Sequence, residues 1–98
     1  MPEPGSVVYI VDDDASVREA ISSLLRSVGF AARCFDSADE FLRQQPAEVP
    51  ACLVLDMMLR DSTGLDLQRE LAARENALPI VFITGHGDVR MSVNAMKA

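Results

Sequence analysis

Three stretches of this chain are apolar from end to end instead of alternating: Val7-Val8-Tyr9-Ile10-Val11, Ala51-Cys52-Leu53-Val54-Leu55 and Ile80-Val81-Phe82-Ile83. A strand with one wet face carries a polar residue at every second position. Unbroken apolar runs therefore belong to strands covered on both sides, which means a parallel sheet held between layers of helix. A shorter strand fits at Phe30 to Phe35. Helical signals fill the gaps. Val17, Ile21, Leu24, Leu25 and Val28 recur at helical spacing, Ser16-x-x-Glu19 reads as a capping box, and Gly29 as the stop. Ser37-x-x-Glu40 opens a second, short helix with Phe41 and Leu42 that ends before Pro46. Leu67 and Leu71 mark a third after Gly64. Beyond the last apolar run, Asp88 caps a fourth through Val89, Val93 and Met96. The expected fold class is α/β: an open parallel sheet in three α/β/α layers.

Length and charge narrow the function. Ninety-eight residues make one small domain, and 49 % hydrophobic against 24 % charged residues is the composition of a chain that folds. Residues 1–6 read as a flexible leader and residues 7–98 as the domain. The 15 acidic side chains outnumber the 9 basic ones, for a formal net charge of −6, and Lys97 is the only lysine. Nucleic acids and anionic membranes select clustered Lys and Arg, so neither is an expected partner. No apolar run approaches the ~20 residues of a membrane span, and the N-terminus lacks the basic and apolar regions of a secretory signal. Cys34 and Cys52 have no second Cys or His at ligand spacing, which favours free, buried thiols in a reducing cytoplasm. Arg18, Arg26, Arg33, Arg43, Arg69 and Arg74 read as solvated.

Chemistry enters at the strand ends, where open α/β folds place their sites. The first run stops at Asp12-Asp13-Asp14, the third strand at Asp56, and the fourth at Thr84. A single aspartate after a strand is often only a helix N-cap, and Asp14 reads as one. Several together at one sheet edge are different. Crowded carboxylates raise one another's pKa unless a cation sits among them, and an oxygen-only set suits Mg²⁺. One carboxylate could then attack a phosphorus while the Thr84 hydroxyl donates to a phosphoryl oxygen. His86, alone in a glycine-flanked loop, has no nucleophile to serve and reads as a solvated residue; Met57 and Met58 read as packing and loop residues.

Ile10-Val11-Asp12-Asp13-Asp14, Leu55-Asp56-Met57-Met58-Leu59 and Ile83-Thr84-Gly85 together resemble the signature of response-regulator receiver (CheY-like) domains, over the whole chain from Val7. The tract from Thr84 to Met91, continuing through Ala95 to Ala98, is similar to the FixJ-type subgroup, whose receivers usually precede a LuxR-type helix-turn-helix domain. The resemblance implies a flavodoxin-like sheet of order 2-1-3-4-5. It implies Asp56 as phosphoacceptor, Asp12, Asp13, Asp56 and the Met58 backbone carbonyl around Mg²⁺, and Thr84 as the switch hydroxyl, with Gly85 keeping the phosphate pocket open and His86 influencing how fast the phosphate is lost. It also implies a sensor histidine kinase as partner, a separate transcription-regulating effector domain, and a phosphorylation switch that is not an enzyme. Leu59-Arg60 stands where the family has Met-Pro. The family's lysine after a fifth strand and its aromatic on that strand have no counterpart, since Lys97 falls in the last helix. The expectation is a fold lacking its last strand and helix, with the fourth strand as a bare edge and an apolar strip open to self-association there or on the last helix's side. Two other readings remain: a non-switching metal- and partner-binding module, and a metal-dependent phosphohydrolase, which would want a second aspartate where Met58 stands.

Overall fold

The computed structural model describes residues 5–44, 49–59, 62–76, 78–83 and, as backbone, 91–94. Chain order is β1 (Val7–Val11), α1 (Ala15–Ser27), β2 (Ala31–Phe35), α2 (Ala38–Leu42), β3 (Ala51–Asp56), α3 (Gly64–Ala73), β4 (Ile80–Ile83) and β5 (Met91–Asn94). The sheet order is β2-β1-β3-β4-β5. The first four strands pair in parallel, as the apolar runs require.

Alternation along each strand divides the core in two. Val7, Tyr9, Val11, Leu53, Leu55, Ile80 and Phe82 face one side, where Phe41 of α2 and Leu67 and Leu71 of α3 cover them. Tyr9, Phe35 and Phe41 form an aromatic group on this side, with Phe41 edge-on to both rings at 5.4 Å. Val8, Ile10, Val54 and Ile83 face the other side, against Val17, Ile21 and Leu25 of α1.

Several local expectations change. The capping box expected of Ser16 and Glu19 does not start α1; its N-cap is Asp14, in the role its place after the strand suggests, with a side chain that accepts from the Ser16 and Val17 amides. An aspartate one residue before the helix competes better for the first amides than a serine already inside it. The helix also sits rotated on the sheet. Ser22 is its one buried residue, while Leu24 and Val28 stay 66 % and 57 % exposed despite their spacing. Cys34 is exposed on the edge strand β2, its thiol 3.9 Å from the Arg18 carbonyl of α1; Cys52 is half-buried, and burial pushes its thiol up.

The largest change is at residues 91–94. The helix expected from Asp88 to Met96 is replaced there by β5, which runs antiparallel to β4 with Ile80↔Asn94 and Ile83↔Met91 in register. β4 is therefore an interior strand and not a bare edge. Its outer row of N–H and C=O groups needs partners, and Met91-Ser92-Val93-Asn94, with two poor helix formers and a β-branched residue, supplies them in four residues. Asp88, Val89 and Met96 lie outside the described residues.

α3 starts on a capping box: Thr63 Oγ1 accepts from the Asp66 amide at 3.2 Å, and Asp66 accepts from the Thr63 amide at 3.0 Å. Thr63→Ala is expected to lower stability by about 1 kcal/mol and Thr63→Ser by much less, read by urea unfolding. The Thr63 amide holds the Asp66 carboxyl below the usual carboxylate range. The box thus contributes fully above that range and fades as pH falls through the lowered value. A Thr63→Ala variant as stable as the original chain at neutral pH would remove this account.

Candidate functional site

The site is built by strand register. Val11 pairs with Leu55, so Asp12 and Asp56 stand abreast at the carboxyl ends of two adjacent central strands. Both are buried, at 3 % and 7 % exposure, and Asp13 beside them is half-buried. One carboxylate oxygen from each of Asp12, Asp13 and Asp56 lies within 4.8 Å of the other two.

Each buried carboxylate is held from its own loop by the amide two residues on. The Asp14 N–H donates to Asp12 Oδ1 at 2.8 Å, and the Met58 N–H donates to Asp56 Oδ1 at 3.1 Å. Such turns follow from the short Asx side chain, which reaches the second amide beyond it. Burial pushes the Asp12 carboxyl up; the Asp14 amide opposes this, and the charges of Asp56, Asp13 and Asp14 add to it. Asp14 behaves oppositely. Its carboxyl is lowered by the Ser16 hydroxyl and by the Ser16 and Val17 amides, and so serves the helix.

The loop after Asp56 is closed by backbone pairing. The Gly64 N–H donates to the Met57 carbonyl at 2.8 Å, the Leu59 N–H to the Ser62 carbonyl at 2.9 Å, and Met58 and Thr63 form an antiparallel bridge between them. This ladder folds the loop back without the family's proline; Arg60 itself lies outside the described residues. Met58 is largely exposed beside the cluster. β4 ends at Ile83, the register partner of Asp56. Thr84, Gly85, His86 and Lys97 lie outside the described residues.

Among the described residues, two of the arginines read as solvated reach backbone carbonyls. Arg74 bonds Glu70 and the Leu42 carbonyl, tying the end of α3 to the end of α2. Arg18 Nη1 donates to the Asp12 carbonyl at 2.6 Å. Side-chain periodicity does not announce a bond from a helix to the backbone six residues earlier.

The family model of the response regulator receiver domain matches residues 8–98, and with them all three aspartates of the cluster. The chain belongs to the response-regulator receiver family. This receiver is 49 % identical over 98 residues to the response regulator protein TmoT of Ectopseudomonas mendocina, covering 100 % of this chain and 44 % of the relative. It is 39 % identical over 90 residues to the transcriptional regulatory protein FixJ of Bradyrhizobium diazoefficiens, covering 92 % and 44 %. Among solved structures, the response regulator StyR superposes with a TM-score of 0.78 at 49 % identity, over 92 % of this chain and 46 % of that one. FixJ-N superposes with a TM-score of 0.78 at 36 % identity, over 90 % and 69 %. The receiver thus spans less than half the length of these curated relatives. Its fold is the CheY-like one, and response regulators are signalling proteins of two-component systems. Among the described residues, no helix is long and apolar enough to cross a membrane.

Proposed function

We propose that this receiver is a phosphorylation switch in the cytoplasm. Asp56 takes a phosphoryl group from the phosphohistidine of a sensor histidine kinase, and Asp12, Asp13, Asp56 and the Met58 backbone carbonyl hold Mg²⁺. The observation that carries this reading is the convergence of three carboxylate oxygens within 4.8 Å, two of the residues being buried. Like charges brought that close and partly out of water call for a cation, and donors that are all oxygen suit a hard divalent one. When bound, Mg²⁺ would neutralise the carboxylates and the charge on the transferring phosphoryl oxygens.

The chain's own groups supply the rest. The Met58 amide fixes the rotation of the Asp56 carboxylate. An Asp56 oxygen attacks phosphorus; the new P–O bond forms as the P–N bond to the kinase imidazole breaks, and the imidazole keeps the electron pair. The product is an acyl phosphate, whose oxygens the Thr84 hydroxyl would bind, in the role its place after β4 suggests. In a protein as long as its relatives, the phosphorylated receiver would control a transcription-regulating segment.

Intact mass after incubation with acetyl phosphate and Mg²⁺ tests this. One phosphate adduct is expected, absent from Asp56→Asn and absent in chelator. No adduct in a folded sample would leave only a non-switching metal- and partner-binding module. An adduct persisting in Asp56→Asn would move the acceptor elsewhere.

A further inference from the structure

The rotation of α1 carries an arginine to the acidic site. Arg18, Ser22 and Leu25 fall at i, i+4 and i+7 on the side of the helix that turns toward the sheet, where Ser22 is buried and Leu25 packs on the core. Arg18 is half-buried there, and its guanidinium reaches back to the Asp12 carbonyl. That carbonyl has lost its place in the sheet. β1 ends at Val11, and although the Asp12 amide still donates to the Phe35 carbonyl, β2 ends at that residue. A peptide group in so buried a residue needs a partner, and Arg18 provides a charge-assisted one.

The carbonyl matters because of what it is attached to. It belongs to the planar peptide joining Asp12 to Asp13, so holding its oxygen fixes how that plane is turned, and with it the directions in which the side chains leave the two Cα atoms. The side chains on those atoms supply two of the three carboxylates in the cluster. The Asp14 amide holds the Asp12 carboxylate from the loop side, and Arg18 holds the Asp12–Asp13 peptide from the helix side.

Building on the reading of the cluster as a Mg²⁺ site, we infer that Arg18 is a positioning residue: it holds the Asp12–Asp13 peptide so that both carboxylates converge with Asp56. It does so without touching the metal or the phosphoryl group. Loss of a group that orients metal ligands commonly weakens metal binding by about 10- to 100-fold.

Mg²⁺ titration calorimetry on the 98-residue chain tests the inference, with Arg18→Met, Arg18→Lys and Arg26→Met beside the original. Methionine keeps an apolar stem and removes the guanidinium. Lysine keeps a donor without the planar fork. Arg26, exposed in the last turn of α1, controls for the loss of one positive charge. Arg18→Met is expected to raise the Mg²⁺ Kd about tenfold, Arg18→Lys by about threefold, and Arg26→Met to leave it unchanged. Without any metal, the Asp14 amide should exchange faster in Arg18→Met than in the original chain, because its acceptor on Asp12 is no longer held. If Arg18→Met melts earlier but binds Mg²⁺ as the original does, Arg18 is merely structural and the inference is overturned. Equal weakening by Arg26→Met would overturn it in favour of bulk charge. If Arg18→Met does not fold, the ordering of Arg18→Lys against Arg26→Met decides. An original chain that takes up no Mg²⁺ overturns the functional reading and this inference together, whereas normal uptake with an insensitive Arg18 overturns the inference alone.

Discussion

Gly64→Ala is expected to destabilise the receiver by about 2 kcal/mol, or roughly 10 °C in Tm for a domain of this size, although alanine is the better helix former. Two effects of opposite sign meet at this position, the first residue of α3. Helix propensity alone favours alanine over glycine by about 1 kcal/mol in a helix interior, and by less at its first residue. Against that, a Cβ on Gly64 would lie 2.6 Å from the Asp56 carbonyl oxygen, 3.2 Å from Met57 Cα and 3.2 Å from Phe82 Cε1. The nearest atom is backbone at the end of a central strand and cannot swing aside. The relief open to the chain is to lift α3 away from β3, which stretches the Gly64 N–H bond to the Met57 carbonyl and turns the peptide that follows Asp56. Overpacking against rigid neighbours costs about 1–3 kcal/mol and outweighs the propensity gain. Valine, branched at the clashing atom, is expected to be worse than alanine. Thermal unfolding followed by circular dichroism checks the order Gly, then Ala, then Val. A Tm for Gly64→Ala equal to or above the original would show that helix propensity wins and that the close approach is relieved without loss.

Gly64 also shows where sequence legibility stops. Its place at the close of the β3–α3 loop is readable from the spacing of Leu67 and Leu71, but the need for no side chain at all comes from how near α3 passes to the Asp56 carbonyl. The parallel strands are legible for a simple reason. Burial on both faces removes polar residues from Val7–Val11 and from most of Ala51–Asp56, and runs of five or six residues are too short for the buried helix that would leave the same mark. The three aspartates are legible because strands in register deliver their end residues to one edge. Residues 91–94 are misread because Val89, Val93 and Met96 satisfy a helical period, while four residues also suffice to pair with a neighbouring strand; the open edge of β4 decides, and that is tertiary. The exposure of Leu24 and Val28 depends on how far α1 is rotated on the sheet, and the roles of Arg18 and Arg74 on which backbone carbonyls lie within reach.

Asp12→Asn should reverse the stability order of the receiver when the medium changes from chelator to Mg²⁺. Asparagine has nearly the same shape as aspartate and keeps an oxygen to accept the Asp14 amide, so the turn at the end of β1 survives the change. What it removes is a charge that burial disfavours and that Asp56, Asp13 and Asp14 oppose. Two like charges at the 4.8 Å limit of the cluster repel by about 3 kcal/mol at an effective dielectric of about 20, before salt screening. Part of that is relaxed by solvent around the half-buried Asp13, which leaves a net gain of about 1 kcal/mol and a rise of several degrees in Tm for the variant in chelator. With Mg²⁺ at about 100 times Kd, a one-site chain gains about 2.7 kcal/mol, and the variant, short of one carboxylate, gains little of it. The original should then be the more stable of the two. The crossing of the two orders separates a site kept under repulsion for the sake of a cation from an acidic cluster that is only solvated. If Asp12→Asn is less stable than the original in chelator, the carboxylate is held by its hydrogen bonds more than it is opposed by its neighbours. If both chains gain equally from Mg²⁺, the ion is bound somewhere that does not include Asp12.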